Sequence, residues 1–299
     1  MRIVWGPKLS ERTTLGLGGT GLAEVLIEEP RDWELLSRVL EKEGGRPYAL
    51  GQGSNLLVES GQIPVVLVCL AQGQTQPEIF ENKDLVTVQV ECGLRLSRLM
   101  RWLQSYGLSG LEGLVGIPGT LGGAVAMNAG SYGYEIGTRI KRIQFWTPED
   151  GLFWKDRSDV GIEYRYFSPE IENWQKFWQA ARVELALVPE RSEDIKNRMQ
   201  DLYLKKKSSQ PILSRTCGCV FKNPDKDCSA GYLLEQTGFR GFTMGGMAFS
   251  ERHANFLINL GQGRSVQAFE LIDLACERVK SRFGVELEKE VCVLGATKL

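Results

Sequence analysis

The stretch from Gly116 to Gly133 constrains this chain more than any other part of it. Six glycines are interleaved there with Pro118, Thr120, Ala124, Ala126, Asn128, Ala129 and Ser131. So many small residues cannot fill a core with side chains. They can press backbone against a large flat ligand, because glycine permits both close approach and positive φ. Pro118 stiffens the approach, and Thr120 and Asn128 offer hydrogen bonds. A solvated linker would not mix Ile117, Leu121, Val125 and Met127 with its glycines.

A second motif lies upstream. Tyr48 to Leu50 reads as a short strand that runs into Gly51, Gln52, Gly53, Ser54 and Asn55. Two glycines around one residue leave backbone N–H groups bare, and Ser54 and Asn55 add short polar side chains, which suits a pyrophosphate. The third glycine and long helix of the dinucleotide fingerprint are missing, and an ordinary strand-to-loop turn has the same look. The third motif runs from Cys217 to Pro224, with two thiols around Gly218 followed by Lys222 and Asn223. A metal site with Cys228 as third ligand is one reading. The spacing fits no paired zinc motif and the sole histidine, His253, lies well downstream, so no metal is expected.

Charge and length exclude other classes. Lys plus Arg total 36 against 37 Asp plus Glu in 299 residues, so nothing electrostatic points to nucleic acid or an anionic membrane. An odd set of seven cysteines, with no apolar signal region between Met1 and Pro30, suggests reduced thiols and a cytoplasmic setting. The longest apolar run, Ile63 to Ala71, is far short of the ~20 residues of a membrane helix and suits a buried strand.

Periodicity predicts strands at 23–28, 65–70, 85–91, 140–146, 152–155, 181–188, 255–259 and 287–294, and helices at 32–43, 96–106, 190–207, 232–237 and 266–283. Ser208 to Pro211 is the best linker candidate. Strands and helices without strict alternation argue α+β more than a doubly wound parallel sheet.

The two glycine-rich motifs are followed in order by Gly218 to Pro224, Ala230 to Glu235, Gly238 to Gly241, Ser250 to Phe256 and Leu287 to Val291. This ordered series, from about Thr13 to Gly295, resembles the UDP-N-acetylenolpyruvoylglucosamine reductase family. Only Asp225 to Ser229 separate Pro224 from Ala230, which resembles the family's shorter type II form.

The resemblance implies an FAD-binding fold of the vanillyl-alcohol-oxidase type in two subdomains, residues 1–73 and 74–204, with boundaries near Gln74 and Lys205. A smaller α+β substrate domain, 205–285, follows, and a C-terminal strand, 286–299, returns to the flavin region. It implies reduction of UDP-N-acetylglucosamine enolpyruvate to UDP-N-acetylmuramate for peptidoglycan precursors. NADPH would be the co-substrate and FAD a non-covalent cofactor. The chain is expected to act as a monomer on this small UDP-sugar, with no nucleic acid or membrane insertion. The cofactor contacts would come from Gly51, Gln52, Gly53, Ser54 and Asn55, and from Gly116, Pro118, Gly119, Thr120, Gly123, Ala124, Asn128 and Gly130. Arg165, Cys219 and Glu290 match the family's catalytic positions, and Tyr164, Lys222 and Asn223 its substrate contacts.

Three positions depart from the family pattern. Cys219 stands where a serine proton donor is usual, Gly16 where a basic residue is, and Phe167 where a serine is. Motif position selects Glu290 over Glu288, which would share its strand face. Lys205 to Lys207 read as a solvated helix end sooner than as a steering patch, His253 as structural, and Trp33, Trp174 and Trp178 as core or surface aromatics. Two alternatives stay open: another FAD oxidoreductase of the same fold, such as an alcohol or sugar oxidase, and a flavin-binding protein that has lost catalysis.

Overall fold

Runs of β-branched and aliphatic residues become the central strands, and short amphipathic segments become the helices that cover them. The computed structural model describes residues 1–71, 76–80, 84–171, 177–225 and 227–295; Gln74 and Trp174 lie outside these. The chain forms two compact units. The first comprises residues 1–5, 23–51 and 65–204; the second comprises 6–22, 52–64 and 205–299.

In the first unit, strand Val65–Leu70 pairs in parallel with Ala23–Ile27 on one side and Arg46–Leu50 on the other, and Arg2–Trp5 adds antiparallel to Ala23–Ile27. Val65 through Val68 are fully buried, as a strand inside a parallel set should be. Helix α1 (Asp32–Glu43) connects two of these strands and ends at Gly44, whose φ of +66° stops the helix. Its Leu36 packs with Val25, Val68 and Trp146. Beside this lies an antiparallel sheet ordered Gly151–Asp156, Ile140–Thr147, Gln179–Pro189, Val86–Glu91, Glu78–Phe80. Helix α2 (Leu96–Ser105) buries Leu96, Leu99, Met100 and Leu103, the i, i+3, i+4, i+7 stripe of a helix on a core.

The second unit is built on an antiparallel sheet ordered Arg215–Cys219, Phe256–Asn259, Met247–Phe249, Thr243–Met244. Helices α5 (Ala230–Gln236) and α6 (Ser265–Phe283) close its core. Ala268, Leu271, Ile272, Ala275 and Val279 of α6 are buried with Phe221, Phe239 and Phe249. Cys292–Leu294 pairs in parallel with Leu56–Val58 of the same unit.

Three local differences from the sequence expectations have physical causes. The glycine-rich run contains a short helix, α3 (Leu121–Ala126): Thr120 caps it by accepting from the Gly123 N–H, and Leu121, Ala124 and Val125 are buried. The predicted strand 287–294 is regular only over Cys292–Leu294. The N–H groups of both Glu290 and Val291 donate to the Val220 carbonyl, so the backbone kinks and the simple alternation between Glu288 and Glu290 is lost. Helix α4 (Ser192–Ser209) includes Ser208 and Ser209, both exposed, so the stretch expected as a linker begins as a helix end, a few residues after the unit boundary at 204/205.

Candidate functional site

Each unit gathers its own set of the residues singled out above. In the first unit, strand Arg46–Leu50 delivers Gly51 to its exposed end, against the cap of α3. A Cβ added to Gly51 would lie 2.5 Å from Thr120 Oγ1, so only glycine fits there. Gly116, Pro118 and Gly123 are exposed and Gly119 is buried with φ +142°. Ala124 packs into the core, which leaves only its backbone for a ligand. Gly51, Gly116 and Gly123 thus present backbone without side chains, a surface that suits the flat, phosphate-bearing body of FAD.

Asn128 is buried and its side chain is fully engaged. Its Nδ2 donates to the Glu163 carbonyl at 2.8 Å and to Glu135 Oε2 at 3.1 Å, and its Oδ1 accepts from the Gly137 N–H at 3.0 Å. Gly130 offers its carbonyl to Arg165 Nη2 at 2.9 Å, and the Asn128 carbonyl accepts from Nη1 at 3.3 Å. Arg165 sits in the two-residue turn of a hairpin formed by Gly161–Glu163 and Tyr166–Ser168. Its guanidinium lies over the exposed Tyr164 ring, 5.2 Å from the centroid. Arg165 has φ +53° and Asn128 φ +38°, both in the region that L side chains rarely adopt. Phe167 is buried against Phe145 and Trp178, so at this departure the chain has exchanged a polar contact for core packing.

The second unit joins three motifs that are far apart in sequence. Cys217 is buried, and a regular strand would turn Cys219 to the same face. A register shift between Thr216 and Cys219, with Gly218 at φ +80°, turns Cys219 instead into a half-buried position. Gly218 faces the Ser54 carbonyl, 3.9 Å from where a Cβ would stand. Asn55 Nδ2 donates to the Glu290 carbonyl at 3.0 Å, and the Cys292 N–H returns to the Asn55 carbonyl at 3.1 Å. Gln52 and Ser54 are half-buried beside Gly53, where a Cβ would meet the Arg12 carbonyl at 2.1 Å. The loop from Gln52 to Asn55, the Cys219 turn and the Glu290 kink therefore form one neighbourhood.

Other singled-out residues hold local structure. Lys222 pairs with Glu288 at 2.5 Å, and Asn223 Oδ1 accepts from the Ala230 N–H at the start of α5. Gly16 has φ +73°, with the Arg215 side chain 3.7 Å from where its Cβ would be. His253 Nδ1 accepts from the Asn255 N–H, and burial together with Arg240 pushes its pKa down, so it acts as a neutral structural group. Trp33 and Trp178 pack with Trp146 and Phe145. Lys205 and Lys207 are exposed, as a solvated helix end should be, but Lys206 is 2% exposed, and burial pushes its ammonium down to about 8.

One buried cluster escaped the sequence reading. Arg198 on α4 donates to Glu112 Oε1 at 2.6 Å and to Glu190 Oε2 at 2.6 Å. Glu112 is 1% exposed and also accepts from the Ser109 hydroxyl and the Gly110 N–H, both at 2.8 Å. This cluster fixes the chain just before Gly116. The available signal was a single carboxylate inside the apolar stretch from Leu108 to Leu114.

Comparison with known proteins covers the same regions. Residues 210–294 match the family model described as UDP-N-acetylenolpyruvoylglucosamine reductase, C-terminal domain, and residues 23–155 match the one described as FAD binding domain. The UDP-N-acetylenolpyruvoylglucosamine reductase of Nitratidesulfovibrio vulgaris is 46% identical over 294 residues, covering 98% of this chain and 99% of its own. That of Clostridioides difficile strain 630 is 36% identical over 278 residues, covering 92% and 88%. The crystal structure of UDP-N-acetylenolpyruvylglucosamine reductase from Thermus caldophilus is similar at a TM-score of 0.80 and 31% identity, over 98% of this chain and 99% of that one.

Proposed function

Since the chain belongs to the UDP-N-acetylenolpyruvoylglucosamine reductase family, we propose that Arg165, Cys219 and Glu290 carry out its reduction of UDP-N-acetylglucosamine enolpyruvate, with NADPH as reductant. The protein is an FAD-dependent oxidoreductase of peptidoglycan precursor synthesis, with an α+β fold of the vanillyl-alcohol-oxidase type. No helix among the described residues is long and apolar enough to cross a membrane. A nucleotide-linked substrate is consistent with work in the cytoplasm, where such sugars are made.

FAD would be held without a covalent bond by the backbone of Gly51 to Asn55 and of Gly116 to Gly130, where the glycines leave room for it. Once bound it supplies the hydride, taken from NADPH, that the enolpyruvyl C3 receives. Addition of hydride beside a carboxylate leaves an enediolate dianion on the substrate, and a fixed cation lowers the barrier to forming it. Arg165 fits that task because two backbone carbonyls hold its guanidinium in place. Glu290, in its protonated form, would donate a hydrogen bond to the same dianion. Cys219 would deliver the proton to C2; a thiol, of pKa about 8.5 in water, is a far stronger acid than an alcohol. Tyr164 would flank the substrate beside Arg165, and Lys222 and Asn223 would contact the diphosphate, Lys222 exchanging its pair with Glu288 for a phosphate.

The observation that carries this reading is the assembly of Ser54, Asn55, Cys219 and Glu290 into one neighbourhood of the second unit. The test is to mix the yellow protein with NADPH and then with UDP-N-acetylglucosamine enolpyruvate while following flavin absorbance. Bleaching by the first and recovery by the second are expected. Bleaching without recovery would leave a flavin-binding protein with no reductase activity on this substrate. Bleaching of the oxidised flavin by an alcohol or sugar alone, with recovery in air, would favour an oxidase.

A further inference from the structure

Arg165 occupies a backbone conformation that its own residue type disfavours, so something outside the turn must hold it. The hairpin allows only Tyr164 and Arg165 between the paired residues Glu163 and Tyr166. A turn of this size with positive φ at its second position ordinarily takes glycine. Such strain persists only where surrounding contacts over-determine the geometry.

Asn128 makes those contacts at two levels. Its side-chain Nδ2 donates to the Glu163 carbonyl at 2.8 Å, at the base of the turn. Its main-chain carbonyl accepts from Arg165 Nη1 at 3.3 Å, at the tip of the side chain. The remaining capacity of the amide is tied to Glu135 and Gly137, so Asn128 cannot rotate without breaking three bonds to two segments. Gly137 is shaped to this partner, since a Cβ there would lie 2.7 Å from Asn128 Oδ1. Asparagine also suits the φ of +38° that aims its carbonyl, because its short polar side chain tolerates the left-handed region.

We infer that Asn128 is the positioning residue for Arg165: it acts on the reaction by fixing the guanidinium, and not by touching cofactor or substrate with its side chain. The inference rests on the proposed role of Arg165 in stabilising the enediolate. A guanidinium released from this grip keeps its charge but loses its place, and displacements of about 1 Å can cost on the order of 100-fold in rate.

The experiment uses the holoenzyme and four variants: two single changes at Asn128, Arg165→Ala, and a double variant. Asn128→Gly allows the same φ and removes all the side-chain bonds. Asn128→Asp keeps the shape and the acceptor for Gly137, but loses both donations and sets a second carboxylate against Glu135. Measured on the flavin-bound protein, bleaching by NADPH should change less than reoxidation in both. Reoxidation by the UDP-enolpyruvyl substrate should slow by roughly 10- to 100-fold, with the loss in kcat more than in KM. Adding Asn128→Gly to Arg165→Ala should slow reoxidation no further than Arg165→Ala alone, as required of a residue that acts only through Arg165. Wild-type reoxidation in Asn128→Gly, additive slowing in the double variant, or loss of flavin from both single variants would overturn the assignment. A separate outcome, normal reoxidation by Arg165→Ala, would remove the catalytic role of Arg165 itself, and the inference with it.

Discussion

Replacing Arg198 by alanine tests how the glycine-rich loop is anchored. The change would strand the Glu112 carboxylate, 1% exposed, with the Ser109 hydroxyl and the Gly110 and Glu112 N–H groups but no cation. Removing one member of a buried ion pair costs about 3–5 kcal/mol. The Arg198 side chain is 37% exposed, so water already screens part of the attraction, and about 2 kcal/mol is the better figure. Over 299 residues, at about 2.1 cal/mol/K of unfolding entropy per residue, that is a fall in Tm of about 3 °C. Glu112→Gln should cost less, because it leaves no buried charge and Arg198 retains Glu190. The pH dependence separates this account from simple loss of packing. Burial alone would push the Glu112 carboxyl up. The Arg198 guanidinium, with the local amides and the Ser109 hydroxyl, outweighs that and holds it below the usual range. A depressed carboxylate contributes stability above its unfolded pKa and loses it as pH falls through the folded value. In Arg198→Ala only the amides and the Ser109 hydroxyl still oppose the burial effect, so protonation costs the variant less than it costs the wild type. Thermal unfolding at pH 7 and again near pH 4 should show the gap between them shrinking. A gap of the same size at both pH values would refute the electrostatic account, and no gap at pH 7 would show that Glu112 needs no counter-ion.

Four further outcomes are expected. Gly53→Val forces a Cβ to within 2.1 Å of the Arg12 carbonyl at φ +62°, and should leave purified protein with little bound flavin; undiminished yellow colour would count against that loop as a cofactor contact. Arg165→Ala and Glu290→Ala should bleach with NADPH within a modest factor of wild type yet fail to reoxidise with substrate, and the reverse pattern would reassign them to the reductive half. Cys219→Ser should turn over while Cys219→Ala should not, and peroxide should inactivate the wild type but spare the serine variant; an active alanine variant would make the proton donor another group. Lys206→Met should stabilise the protein at neutral pH, because burial depresses this ammonium to about 8. The wild type recovers stability as pH rises from about 8 to 10.5, so the gain should fade over that range, and a pH-independent difference would point to packing alone.

The long periodic elements were legible in the sequence because one physical signal dominates each. Val65–Leu70 is an apolar run, α1 is opened by Asp32 and closed at Gly44, and α6 carries an unbroken apolar stripe up to Gly284. The glycine-rich motifs were legible as bare backbone, but not the helix α3 within them, since glycine content masked the Leu121, Ala124, Val125 spacing. Asn128 read as an offered hydrogen-bonding group; its engagement with Glu135, Gly137 and Glu163 depends on three tertiary contacts that no local pattern encodes. The same holds for Lys206, whose charge run suggested water, and for Glu290, whose strand pattern is broken by the paired amides on Val220.

The pairing of Leu56–Val58 with Cys292–Leu294 has a consequence for how the protein is made. Partners such as Leu56 and Cys292 are 236 positions apart (292 − 56). At roughly 5–20 residues per second on the ribosome, that separation is on the order of 10–50 s of synthesis. For most of that interval, until Arg215 and the residues after it are made, the 6–22 and 52–64 segments of the second unit lack the sheet and helices they pack with. Leu57, fully buried in the finished protein among Phe221, Leu271 and Val291, is solvent-accessible or transiently covered until then. The second unit therefore completes its core only after synthesis has passed its last strand, and contacts of such high sequence separation make it the slower unit to fold.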